Sequence, residues 1–238
     1  MNKIYEENFN NQGYLMKIVQ YNNAKDIIVE FQDKNKARVH TQYHMFKKGM
    51  IRNPFHPIVC GIGYLGNSNS LENGKVKKSY QVWNSMMHRC YAEYYLKDKP
   101  TYQGCSVCEE WLCYENFEKW FNENYYEVDN EEMNLDKDVL VKENKIYSPN
   151  TCIFVPKRIN SLFKSSKIKI RRNNNNKFSV RCVNENGERI FLGVYQTEQE
   201  ATLSYKNFKE KTVKNIAEKY KDKIPEKLYN AMIKWKYE

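Results

Sequence analysis

Two stretches of the chain carry the same punctuation, short β-rich runs broken by Asn, Asp and Gly. From Tyr14 to Gln42 the runs are Tyr14 to Tyr21, Ile27 to Phe31 and Ala37 to Thr41, separated by Asn22-Asn23 and by Asp33 to Asn35. From Ile168 to Tyr195 they are Ile168 to Arg172, Phe178 to Val183 and Arg189 to Tyr195, separated by Asn173 to Asn176 and Asn184 to Gly187. Runs of this length with turn formers between them predict a three-stranded antiparallel meander in each stretch.

Helical spacing fills the space between. Ser79 is positioned to cap a helix in which Trp83, Met86, Met87, Cys90, Tyr91 and Tyr94 recur at three- and four-residue intervals. A second helix is expected from Glu109 to Tyr125, with Trp111, Phe117, Trp120 and Phe121 inward. Leu135 to Val141 and Cys152 to Val155 read as short strands, followed by a helical turn over Lys157 to Phe163. Thr197-Glu198-Gln199-Glu200 is a capping box opening a helix towards Tyr220, and a short Lys-rich helix follows Pro225. The expected fold is therefore α+β in three modules. They are a small β domain over 1–66, a linker over the Asn/Ser/Gly/Lys-rich 67–78, a central module over 79–163 and a second sheet-plus-helix domain over 164–238.

Charge divides the chain in the same way. Residues 1–100 carry 15 basic and 8 acidic groups, 101–156 carry 4 and 12, and 157–238 carry 20 and 9, for a net charge of +10. Basic ends attract a polyphosphate, and an acidic middle tolerates one most easily with a divalent cation among its carboxylates. No run reaches the ~18 apolar residues of a membrane span, and MNKIYEENFN lacks a signal-peptide pattern, so the expected setting is the cytoplasm, with no membrane partner. Seven cysteines then read as reduced thiols or metal ligands rather than a disulfide framework.

The segments IKIRR, KFSVRC and ERIFLGVYQTEQEATLSY together resemble the AP2/ERF DNA-binding domain over about 50 residues. That resemblance implies a three-stranded sheet in the major groove of duplex DNA, with Arg171 and Arg189 among its contacts. Period-two alternation independently lets Lys169 and Arg171 present together, as it does Lys177, Ser179 and Arg181; Arg172 completes the expected DNA-binding set.

The middle segments YQVWNSMMHRCY, VCEEWLCYENFEKW and LDKDVLVKENKIYSPNTCIFVP resemble the HNH-type ββα-metal modules of phage and mobile-element homing endonucleases. By position, the likeness makes Asp136 a ligand for Mg²⁺ or another divalent cation and Asn160 the distal ligand. Lys137 stands where the base histidine belongs, and Thr151 where many members carry asparagine. A lysine beside Asp136 and Asp138 stays protonated, so catalysis here needs another arrangement. Asp136, Asp138, Glu143 and Lys145 offer a D-x(n)-E-x-K set, and His88 offers an imidazole from the first helix. The expected catalytic set is Asp136, Lys137, Asp138 and Asn160.

Cys105-x-x-Cys108 suggests a zinc site completed by Cys90, Cys113 or Cys152. The expected function is duplex DNA binding with some sequence preference, by a homing-type endonuclease with a degenerate centre or by a non-catalytic regulator. Binding of single-stranded RNA by a cationic, aromatic sheet remains the third reading.

Overall fold

Period-two alternation buries Met16, Ile18, Ile27, Val29 and Phe31 on one face of the first meander and leaves the other face mostly half-exposed. In the computed structural model, which describes residues 3–163 and 168–237, contacts divide the chain into Met1–Glu123 and Asn124–Glu238. The fold is mixed α+β with several small antiparallel sheets. The expected module start at residue 164 lies outside the described residues, and the division at 123/124 falls within the expected 79–163 module.

The first unit opens on a four-stranded sheet in the order β1-β2-β3-β4: β1 Glu7–Phe9, β2 Leu15–Asn23, β3 Asp26–Phe31 and β4 Arg38–Thr41. The three expected strands are present; β1 is an addition, too short and polar to leave a hydrophobic period. Helix α1, Tyr43–Lys47, closes this core with Phe46 and ends before Gly49 at φ +66°. The stretch expected as a linker is partly ordered by the hairpin β5 Leu71–Glu72 and β6 Lys75–Val76. Asn73 and Gly74, both at positive φ, form its two-residue turn.

Helix α2 spans Lys78–Tyr91 and α3 spans Glu93–Asp98. Lys77, not Ser79, stands at the N-cap of α2. Ser79 lies inside the helix and buried, its hydroxyl 2.7 Å from that of Tyr114, whose partner Glu118 also receives Lys77 at 2.9 Å. Trp83, Met86, Met87 and Cys90 are buried as expected, whereas Tyr94 falls on α3 and stays exposed. The second expected helix divides into a 3₁₀ turn, Glu109–Leu112, after the short strand β7 Ser106–Val107, and α4 Tyr114–Asn124. Trp83 Nε1 donates to the Trp111 carbonyl at 2.7 Å, locking the two segments together.

In the second unit β8 Met133–Asp136 pairs antiparallel with β10 Ile153–Pro156, and α5 Lys157–Leu162 follows; β9 Ile146–Tyr147 lies between them in sequence. The expected order of strand, strand and helix is present, but the first strand ends at Asp136 rather than Val141, where its side chain turns back to the amides of Asp138 and Val139, and the expected loop contains β9. The second sheet is β11 Ile170–Arg172, β12 Phe178–Val183 and β13 Arg189–Tyr195, in that spatial order. Helix α6, Glu198–Tyr220, backs the sheet, and α7 spans Glu226–Lys234. The capping box forms as expected: Thr197 Oγ1 accepts from the Glu200 amide at 3.2 Å, and the Glu200 carboxylate accepts from the Thr197 amide. Among the described residues no helix is long and apolar enough to cross a membrane.

Candidate nucleic-acid interface

Val180 and Cys182 of β12 are buried on the side that meets α6, so Ser179, Arg181 and Val183 face the other way. Cross-strand pairing extends this outward face into rows. Arg171 lies opposite Ser179 and Ser179 opposite Val194; Arg181 lies opposite Phe191 and Val183 opposite Arg189. Lys169, two residues before Arg171, is exposed on the same parity.

A bulge decides what β13 contributes. The register slips between Val180 and Arg181, so that Val180 faces Gly193 while Arg181 faces Phe191, and Leu192 is the extra residue. Strict alternation would send Phe191 and Val194 to opposite faces; the bulge turns both outward, at 53% and 49% exposure. Gly193 holds φ +136°, and a Cβ there would meet Tyr195 Oη at 3.3 Å. Tyr195 Oη donates to the Leu192 carbonyl at 2.9 Å and lies 2.6 Å from Ser204 Oγ on α6. The Leu-Gly-x-Tyr spacing thus has a mechanical meaning: it shapes the bulge and pins it to the helix.

The resulting face carries Lys169, Arg171, Arg181 and Arg189 around Phe191, Val194 and Val183. The Arg181 guanidinium lies over the Phe191 ring at 5.8 Å. Among the described residues none of these four cations forms an ion pair with a carboxylate. Lys177, just before β12, is half-buried. Arg172 takes the opposite parity from Arg171, with its guanidinium 5.8 Å from the ring of Phe178, which lines a cavity of about 750 Å³ with residues of early α6. Phe191 and Val194 are the face residues that sequence reasoning missed: Phe191 shares the parity of Arg189, two residues before it, and the bulge at Leu192 is the signal that adds Val194.

The ββα element places Asp136 at the end of β8, opposite Ile153. One carboxylate oxygen, Oδ1, accepts the amides of Asp138 and Val139, each at 2.8 Å. Burial pushes this carboxyl above its ordinary range, against the two amide bonds that pull it down. Lys137 is buried, and its ammonium is spent on Asp138 Oδ1 at 2.6 Å and the Asn144 carbonyl at 2.7 Å. Asn144 returns the bond to the Lys137 carbonyl at 2.9 Å, so Lys137 braces its own loop. Thr151 Oγ1 donates to the Ile146 carbonyl at 2.9 Å, and Asn160 lies half-buried on α5. Glu143, at φ +59°, and Lys145 are exposed.

The four histidines all precede residue 124, and His88 Nδ1 is 2.8 Å from the Tyr94 hydroxyl. Cys90, Cys105 and Cys113 are buried and Cys108 half-buried in the first unit, whereas Cys152 is buried in the second. Burial pushes the Cys108 and Cys113 thiols up, which disfavours the thiolate that zinc needs. Among the described residues no three His, Cys, Asp or Glu side chains group closely enough to hold a metal ion. Comparison of the chain with protein-family models, curated proteins and solved structures finds no match.

Proposed function

We propose that the chain binds duplex DNA and reads its site through the outward face of β11, β12 and β13. The observation that carries this reading is the set of four cations without carboxylate partners among the described residues, on or just before three paired strands and around an exposed phenylalanine. Arginines at cross-strand spacing suit phosphate oxygens and the acceptor edge of guanine, while Phe191 and Val194 offer apolar contact to thymine methyl groups. The likeness to AP2/ERF domains supports the same face. Retardation of a duplex by the full chain, competed with single-stranded RNA at matched salt, tests the reading; preference for RNA overturns it.

A second reading adds endonuclease chemistry, and one feature of Asp136 favours it. Its Oδ1 is fixed by two turn amides while Oδ2 has no hydrogen-bond partner among the described residues, leaving an oriented, poorly solvated oxygen suited to a divalent cation. Asp136, with Asn160 as the distal candidate, would hold Mg²⁺ or a similar ion, which would polarise a phosphodiester oxygen and a bound water. The residues present fit only in part, because Lys137 is consumed by its loop and supplies no base. Incubating supercoiled plasmid with the protein in Mg²⁺, Mn²⁺ or EDTA, beside Asp136→Ala, separates the two readings. Metal-dependent nicking lost in the variant supports the nuclease. Retardation without cutting, unchanged in the variant, leaves a DNA-binding regulator.

A further inference from the structure

The ββα element and the sheet that carries the cations are joined through α6 and by a polar network at three places. Helix α6 has 23 residues, about 34 Å of rise. It meets β11, β12 and β13, and further along buries Thr212, Val213, Ile216 and Ala217. At its end Tyr220 is 8% exposed and donates its hydroxyl to the Glu131 carboxylate, two residues before β8. Lys223, just beyond, pairs with Asp129 at 2.8 Å. From the other side Arg158, on α5, donates to the Glu185 carbonyl in the turn between β12 and β13. Glu185 Oε1 in turn accepts from Asn215 Nδ2 of α6 at 3.2 Å. Helix α5, the tip of the β12–β13 hairpin and the far end of α6 are therefore tied in one circuit.

Packed interiors move as bodies, and a helix packed on the sheet along its first part and tied at its far end to the segment before β8 and to the β12–β13 turn leaves little room for a hinge. We infer that Glu131, Tyr220, Arg158 and Glu185 are positioning residues that hold the Asp136 centre at one fixed displacement along the DNA from the site read by the β11–β13 sheet. The inference rests on the proposed DNA reading and holds whether or not the centre cuts. If it cuts, the break falls at one offset; if it does not, the ββα element covers the same stretch of backbone in every complex.

The test uses a tethered probe, so it does not depend on nuclease activity. Val141, exposed in the loop after β8, is replaced in the full chain (Val141→Cys) and coupled to an iron-EDTA reagent that cleaves nearby DNA through hydroxyl radicals. The parent protein, labelled in parallel, supplies the background from its own thiols. The DNA is a duplex selected by the full chain from a random library, with the bound site located by footprinting. The expected result is probe cleavage confined to about half a helical turn, ~5 base pairs, at one distance from the footprint. Adding Glu131→Ala and Arg158→Ala is expected to spread the cuts over more than about one turn, ~10 base pairs, while affinity changes less than about threefold. A footprint accompanied by scattered cuts, or by none, overturns the inference and leaves the DNA reading intact. Failure to select any duplex overturns the DNA reading itself.

Discussion

Arg171 and Arg189 stand at opposite edges of the outward face, one on β11 and one on β13. Replacing either with alanine is expected to cost roughly 1 to 3 kcal/mol of binding if it reads a base, with relaxed preference at one position of the site. Titration of each variant against a panel of single-base changes checks this, and unchanged affinity in both removes them from the interface. Phe191→Ala is expected to lose about 1 kcal/mol with little change in salt dependence, because its contact is apolar. At this scale Lys169, Arg171 and Arg181 were legible from strand parity, which needs only a period of two, whereas Arg189 was expected from the family likeness alone and Arg172 takes the opposite parity. Phe191 lies on the same parity as Arg189 but carries no charge to mark it, and Val194 was not legible, since parity counted through an unrecognised bulge assigns it to the other face. Lys137 was visible in sequence only as a lysine between two aspartates, and its burial and its bond to the Asn144 carbonyl depend on a loop that closes only in three dimensions.

The capping box on α6 and the glycine in β13 are devices of single elements, and their effects separate. Thr197→Ala removes the acceptor for the Glu200 amide and is expected to lower unfolding stability by about 1 kcal/mol without altering DNA affinity beyond that loss. Gly193→Ala strains a left-handed backbone and pushes on Tyr195, with an expected loss of about 1 to 3 kcal/mol in denaturant midpoint measurements and a larger fall in binding. In the first unit Glu6 links the segment before β1 to α1. The Lys47 ammonium, helped by the Tyr43 hydroxyl and opposed by partial burial, holds its carboxyl below 4.5. A folded pKa below the unfolded one means the stabilisation is full above pH ~4.5 and fades as pH falls through the folded value. Glu6→Gln should therefore cost at most about 1 kcal/mol at neutral pH and nothing at strongly acid pH. Local chemistry made the capping box and the meanders readable. Ser79 misled because a good capping residue can equally serve as a buried hydroxyl, and only Tyr114, 35 residues away, decides between them.

Over the whole molecule the basic excess is concentrated in the second unit, where residues 124–238 hold 23 basic and 16 acidic groups. If the outward cations meet phosphates, log affinity falls linearly with log salt, at a slope of about −0.9 per phosphate neutralised. Arg→Ala at a phosphate contact is expected to flatten that slope by about one, which fluorescence anisotropy between low and moderate salt measures. The division at 123/124 was not legible because contact density, unlike periodicity, has no sequence signature: α4 runs to Asn124 without a break in pattern. Four like charges on one face, none paired with a carboxylate among the described residues, repel one another whenever nothing anionic lies across them. Such a surface shapes how the protein behaves in the laboratory. If nucleic acid is what it meets, fragments in a cell lysate will occupy it at once, and a preparation made at low ionic strength is expected to show an absorbance maximum shifted from 280 towards 260 nm until a high-salt wash strips them away.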